Sequence, residues 1–163
     1  MAEPALRVDA KPSERIELDE LDVKILRAMN KSARKSFRDI ARELGVSLST
    51  VSHRVKRLEE TAVVKGYVPV LDAQRIGYDL TVIMGVRIAH GKLMEVQQRI
   101  AKDPHVFGVY DVTGEWDSMV LGRFRDRDEL NEFIKDVLGM EHVERTNTQL
   151  ALNTVKEERR VVL

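Results

Sequence analysis

From Ser47 to Arg57 the chain reads Ser-Leu-Ser-Thr-Val-Ser-His-Arg-Val-Lys-Arg, a run of hydroxyls and cations broken by apolar residues. Val51, Val55 and Leu58 recur at helical spacing, so they turn toward a core. Ser49, Thr50, Ser52, His53, Arg54, Lys56 and Arg57 are left on the other side. Short hydroxyls at a helix start permit close approach, and the positive end of the helix dipole suits phosphate. Ser and Thr can meet base edges or the thymine methyl, and Arg or His can meet guanine or phosphate. No acid interrupts this run before Glu59. A charged face of this kind is otherwise a solvated helix surface. A second grouping is the tight turn Gly114-Glu115-Trp116-Asp117, which brings a carboxylate and the only tryptophan to one place. Its plainer reading is a hairpin turn with an incidental aromatic.

Other chemistry is poorly supported. His53, His90, His105 and His142 are scattered with no i, i+4 pair, so no metal site is expected. There is no cysteine, hence no disulfide and no thiolate ligand or nucleophile. Neither a glycine-rich phosphate loop nor a nucleophile elbow occurs. The expectation is a binding protein, not an enzyme, with no catalytic residues and no cofactor.

Three short helices must position the basic run. Asp19 is placed to cap the first, whose stripe is Leu21, Ile25, Leu26 and Met29. Ser36-x-x-Asp39 starts the second, buried through Phe37, Ile40, Ala41 and Leu44. Gly45 follows where a left-handed C-terminal residue is expected, and Ser47 caps the third helix. Only Gly45, Val46 and Ser47 separate the last two, which is helix-turn-helix spacing. Val63–Val70, with Gly66 as a turn, reads as a small β wing. Beyond Gly77 the period changes from 3.6 to 2. Leu80, Val82, Met84, Val86 and Ile88 share one strand face; a helix with Leu93, Val96 and Ile100 follows. Strands Val106–Thr113 and Ser118–Phe124 flank the tight turn. A helix with Leu130, Phe133, Ile134, Val137 and Leu138 and a last strand from about Val143 to Leu152 complete β-α-β-β-α-β. The expected fold is α+β: an N-terminal winged helix-turn-helix domain and a C-terminal ferredoxin-like βαββαβ sandwich domain. The expected boundaries are an arm over residues 1–16, a DNA-binding domain over 17–71, a linker over 72–79 and an effector and oligomerisation domain over 80–163.

The 163 residues carry 27 basic and 27 acidic side chains, yet the charge is unevenly placed. Between Lys31 and Gly66 nine Lys or Arg face four Asp or Glu, an excess of five positive charges. Such asymmetry suggests that this stretch of the chain meets an anion such as double-stranded DNA. Ser36, Arg38 and Ser47 join the third-helix residues as candidate DNA contacts, with Arg34, Lys35 and Arg42 as further phosphate partners. No apolar run approaches the ~18 residues of a membrane span. With no signal-like leader in MAEPALRVDAKPSER, a cytoplasmic location without membrane contact is expected.

Three stretches, LDELDVKILRAMNKSARKSFRDIARELGVSLSTVSHRVKRLEETAVVKGYVPVLD, VYDVTGEWDSMVLGRF and VERTNTQLALNTVK, together resemble the Lrp/AsnC (feast/famine) family of bacterial and archaeal regulators. The likeness covers about Glu17 to Lys156. It implies a homodimer paired through the C-terminal sheet, often assembled to an octamer, with amino acids or similar effectors bound at interfaces of that domain. Carried onto this chain, the effector contacts fall at Gly114, Trp116 and Asp117, joined by Thr146 and Thr148. Asp117 would take an α-amino group, backbone N–H groups the carboxylate, and Trp116 would form an apolar wall. Family members often carry a smaller or different aromatic there, so effector identity does not transfer. The arm before Glu17 is also longer than the family's usual one. Two other readings stand beside the regulator: a chromatin-like DNA-coating protein, and a sirohaem decarboxylase-like enzyme of the same fold. The first is separated by its specificity ratio, at least ~10³ for a regulator. The second needs a histidine cluster, which the sequence does not show.

Overall fold

The computed structural model describes residues 15–163. Nearly all of the expected arm thus lies outside the described residues. The chain divides into two compact units: residues up to Pro69 together with Glu158–Leu163, and Val70–Glu157.

The first unit is built on α1 (Glu20–Lys31), α2 (Phe37–Leu44) and α3 (Leu48–Glu60). Asp19 and Asp22 form a reciprocal capping box at the start of α1, each side chain bonding the other's backbone N–H. Ser36 and Ser47 cap α2 and α3 through the N–H groups of Asp39 and Thr50. Gly45 ends α2 at φ 68° and ψ 30°, a left-handed conformation that only a residue without Cβ adopts without strain. The core is Ile25, Ala28, Ile40, Ala41, Val51 and Val55, all buried, with Leu21, Met29, Leu44 and Val46 packed around them. Each fully buried Ile or Val contributes roughly 1.5–3 kcal/mol, so a few such residues hold three short helices together.

The expected wing is absent among the described residues: Val63–Val70 contains no strand. Extended backbone becomes a strand only when a neighbouring edge accepts its hydrogen bonds, and no described residue of this unit offers one. Val68, Val70 and Leu71 are correspondingly 69%, 97% and 62% exposed.

The second unit follows the expected order, with β1 (Leu80–Ile88), α4 (Leu93–Ile100), β2 (Val106–Asp111), β3 (Ser118–Phe124), α5 (Arg127–Leu138) and β4 (Val143–Leu150). The strands form one antiparallel sheet in the order β2-β3-β1-β4. Val82, Met84, Val86, Ile88, Val120 and Phe124 pack on Val96, Ile100, Phe133 and Val137 of the two helices. The alternation of β1 therefore buries the residues expected. Within the stretch expected to be linker, Gln74–Ile76 makes a single 3-10 turn.

Candidate functional site

Helix α3 presents its outer surface as the sequence implies. Ser49, Ser52, His53 and Lys56 are exposed, while Val51, Val55 and Leu58 are buried. At its start the Ser47 hydroxyl accepts from Thr50 N at 3.0 Å and lies 2.8 Å from Ser49 Oγ and 2.7 Å from Thr50 Oγ1. This hydroxyl cluster sits on the positive end of the helix dipole. Among the described residues the other four α-helices all place an acid in their first turn, and α3 has none. An internal carboxylate would neutralise that end; its omission leaves the field available to an outside anion.

Arg54 and Arg57 behave differently. Arg54 Nη1 bonds the carboxylate of Asp19 and lies 3.2 Å from Asp22 Oδ1, and Arg57 Nη2 bonds Asp22 Oδ2. Asp22 is completely buried, and the two arginine side chains are 28% and 40% exposed. The capping box of α1 thus also grips α3. The backbone N–H of Asp22 and the Arg54 guanidinium hold the Asp19 carboxyl below its ordinary range. Two of the expected DNA contacts are therefore engaged by carboxylates of their own unit. Sequence reading missed Asp22 because it looks like an ordinary first-turn acid. The only available signal is its place three residues after Asp19.

Around this surface the remaining cations divide. Lys35 pairs with Glu43, and Arg42 lies 3.4 Å from Asp39. Arg34 and Arg38 are exposed at the start of α2 and just before it, and Ser36 is exposed with its hydroxyl turned to Asp39.

In the second unit the hairpin is anchored by Asp117, not open around it. Asp117 Oδ2 accepts from Ile88 N at 2.8 Å, where the β1–β4 register slips, and Arg87 Nη1 lies 3.4 Å from Oδ1. Gly114 opens the turn, exposed, at φ 119°. Trp116 lies over Gly85 of β1. A Cβ built on Gly85 would stand 2.6 Å from Trp116 Cδ2, so only bare backbone permits this approach. Arg145 completes the group, its guanidinium 4.7 Å from the indole centroid and 2.8 Å from Glu115 Oε1.

Register separates the other expected contacts from this cluster. Thr146 stands opposite Val86 and Thr148 opposite Met84, so both point to the helix-covered side. Trp116 lies on the other side with Gly85. The five expected effector residues thus do not converge within one protomer. Arg145 and Asn147, in phase with Arg87 and Gly85, share the side of Trp116 instead. This side follows from the regular part of the ladder; the slip at Arg87/Ile88 lies beyond it and shifts only the pairing of Val143.

The close approach carries a prediction. Gly85→Ala should displace the indole, move the emission of the single tryptophan to longer wavelength and lower the stability of this unit by about 1–3 kcal/mol. Fluorescence and thermal melting check both parts; an unmoved spectrum would show that the ring does not rest on Gly85.

Comparison with known proteins agrees with this architecture. Residues 18–59 match the AsnC-type helix-turn-helix domain, and residues 81–161 the Lrp/AsnC ligand binding domain. An uncharacterised HTH-type transcriptional regulator of Pyrococcus abyssi is 46% identical over 88% of this chain and 98% of its own. The HTH-type transcriptional regulator FL11 of Pyrococcus horikoshii is 33% identical over 88% and 95%. Among solved structures, a transcriptional regulator from Neisseria meningitidis in complex with L-Met superposes with a TM-score of 0.77 at 24% identity, covering 86% of this chain and 94% of that one. Both halves are matched in order, and the relatives align nearly end to end: the chain belongs to the Lrp/AsnC family of transcriptional regulators.

Proposed function

We propose that this regulator reads specific DNA sequences in the cytoplasm with the outward face of α3 and that an amino acid or similar small effector tunes its occupancy. The observation that carries the DNA half is α3 itself: a hydroxyl-rich, acid-free first turn followed by exposed His53 and Lys56. Ser47, Ser49, Thr50, Ser52 and His53 face bases or nearby phosphates, while Lys56, Ser36 and Arg38 hold the backbone. Arg54 and Arg57 reach DNA only by leaving Asp19 and Asp22, so their first role is to fix the helix.

The working form is a homodimer. The sheet side away from the helices exposes Ile83, Met119, Leu121 and Trp116 at least in part, and a second copy of the same face is its natural cover. A dimer sets two readers against half-sites about one DNA turn apart; octamers follow from pairing dimers. The effector is placed at the hairpin Gly114–Asp117, with Trp116 as an apolar wall and Asp117 holding the turn in shape. Thr146 and Thr148, on the opposite side of the sheet, contribute only through another protomer. L-Met, bound by the Neisseria relative, is the first ligand to test.

The experiment is fluorescence anisotropy of the full chain on the DNA upstream of its own gene, against random competitor, over a salt series, with and without each amino acid. Binding that survives competitor and shifts with one amino acid supports both halves. Equal affinity for random DNA would return the coating role. Asp117→Ala should remove the response to the amino acid while DNA binding stays measurable; a response of wild-type size would sink the hairpin assignment.

A further inference from the structure

Segment Glu158–Leu163 follows the second unit in sequence but belongs to the first unit in space. Arg27 Nε donates to the Leu163 carbonyl at 2.9 Å, and Asn30 Nδ2 donates to the Val161 carbonyl at 3.0 Å. Leu163 is 36% exposed, against 97% for its neighbour Val162. Glu158 and Arg160 brace the segment internally, with Arg160 N and Nε both bonded to Glu158 Oε1. The chain thus leaves the reader unit at Pro69 and re-enters it at Glu158, giving the second unit two covalent connections to the reader.

Where the segment lands matters. Arg27 and Asn30 are exposed and three residues apart on α1; Arg27 lies across the helix from buried Asp22, Ile25 and Leu26, and Asn30 lies on the flank between them. The inner side of the same helix carries Asp22, which grips Arg54 and Arg57 of α3. Among the described residues, Ser49, Ser52, His53 and Lys56 on the outer surface of α3 stay exposed. We propose that the outer face of α1 is the docking surface for Glu158–Leu163, and that α1 relays the position of this strap to the recognition helix through Asp22. The proposal rests on the regulator reading only for its consequence at DNA.

Hydrogen exchange and DNA affinity of the full chain test it, comparing wild type with the double variant Arg27→Ala/Asn30→Ala. Lys24→Ala is the control, removing a neighbouring cation of the same helix whose ion pair is with Glu20. In wild type, amides of the strap should exchange more slowly than in a free peptide. The double variant should release them, speed exchange in α1 and α3, and weaken DNA binding about fivefold to tenfold. Lys24→Ala should leave strap and α3 exchange as in wild type. Free-peptide exchange of the strap in wild type, or a released strap with unchanged α3 exchange, overturns the proposal. A wild-type protein that binds no DNA at all would instead overturn the regulator reading, since the exchange comparison stands without DNA.

Discussion

Asp22→Ala should cost the reader unit about 3 kcal/mol and abolish DNA binding together with it. Breaking a buried ion pair by removing one partner typically costs 3–5 kcal/mol, because the remaining charge is stranded. Here the stranded groups are Arg54 and Arg57, both partly open to water, which places the cost toward the lower end of that range. The same change removes half of the α1 capping box, where loss of a cap is worth about 1 kcal/mol. Against a whole-domain stability of about 5–15 kcal/mol this is a large fraction. Asp22→Asn, which keeps the shape and some of the hydrogen bonding, should cost less. Denaturant melts of the three proteins check the order. Equal stability of wild type and Asp22→Ala would show that the two arginines are held by something else. Acid should act in the same direction. Asp19 has a depressed folded-state pKa, so its contribution is present above the ordinary carboxylate range and is lost as pH falls through the folded value.

Ser49→Glu should have the opposite signature, abolishing DNA binding while the fold is kept or slightly strengthened. Ser49 is exposed in the first turn of α3, where an acid interacts favourably with the helix dipole by roughly 0.3–1 kcal/mol. At a DNA surface the same carboxylate faces phosphates, and like charges set against each other cost several kcal/mol. A loss of 100-fold or more is therefore expected, since every 1.4 kcal/mol is tenfold. Anisotropy and thermal melting on one preparation separate the two effects. Retained affinity would move the reader surface away from the start of α3. With Asp22→Ala, the pair distinguishes a residue that builds the reader from one that meets the DNA.

Much of this protein is local and therefore legible along the chain. The caps Asp19, Ser36 and Ser47, the left-handed Gly45 and the stripe Val51, Val55, Leu58 each follow from interactions within a few residues, and each is present in the fold. The alternation Val82, Met84, Val86, Ile88 likewise announces which strand side is buried. Three things were decided only by tertiary structure. The wing segment Val63–Val70 has strand-like residues, but a strand needs an edge to pair with, and pairing is not a property of the segment. Arg54 and Arg57 lie beside the reader surface on any helical projection. That Asp19 and Asp22, more than thirty residues earlier, claim their charge depends on how α1 crosses α3. Thr146 and Thr148 are turned away from Trp116 because the ladder pairs them with Val86 and Met84, and the side-chain period of a strand is two, so residues opposite these face away from Gly85. Local sequence determined the elements and their buried sides; packing between distant elements decided which charged side chains of α3 are held by carboxylates of another helix.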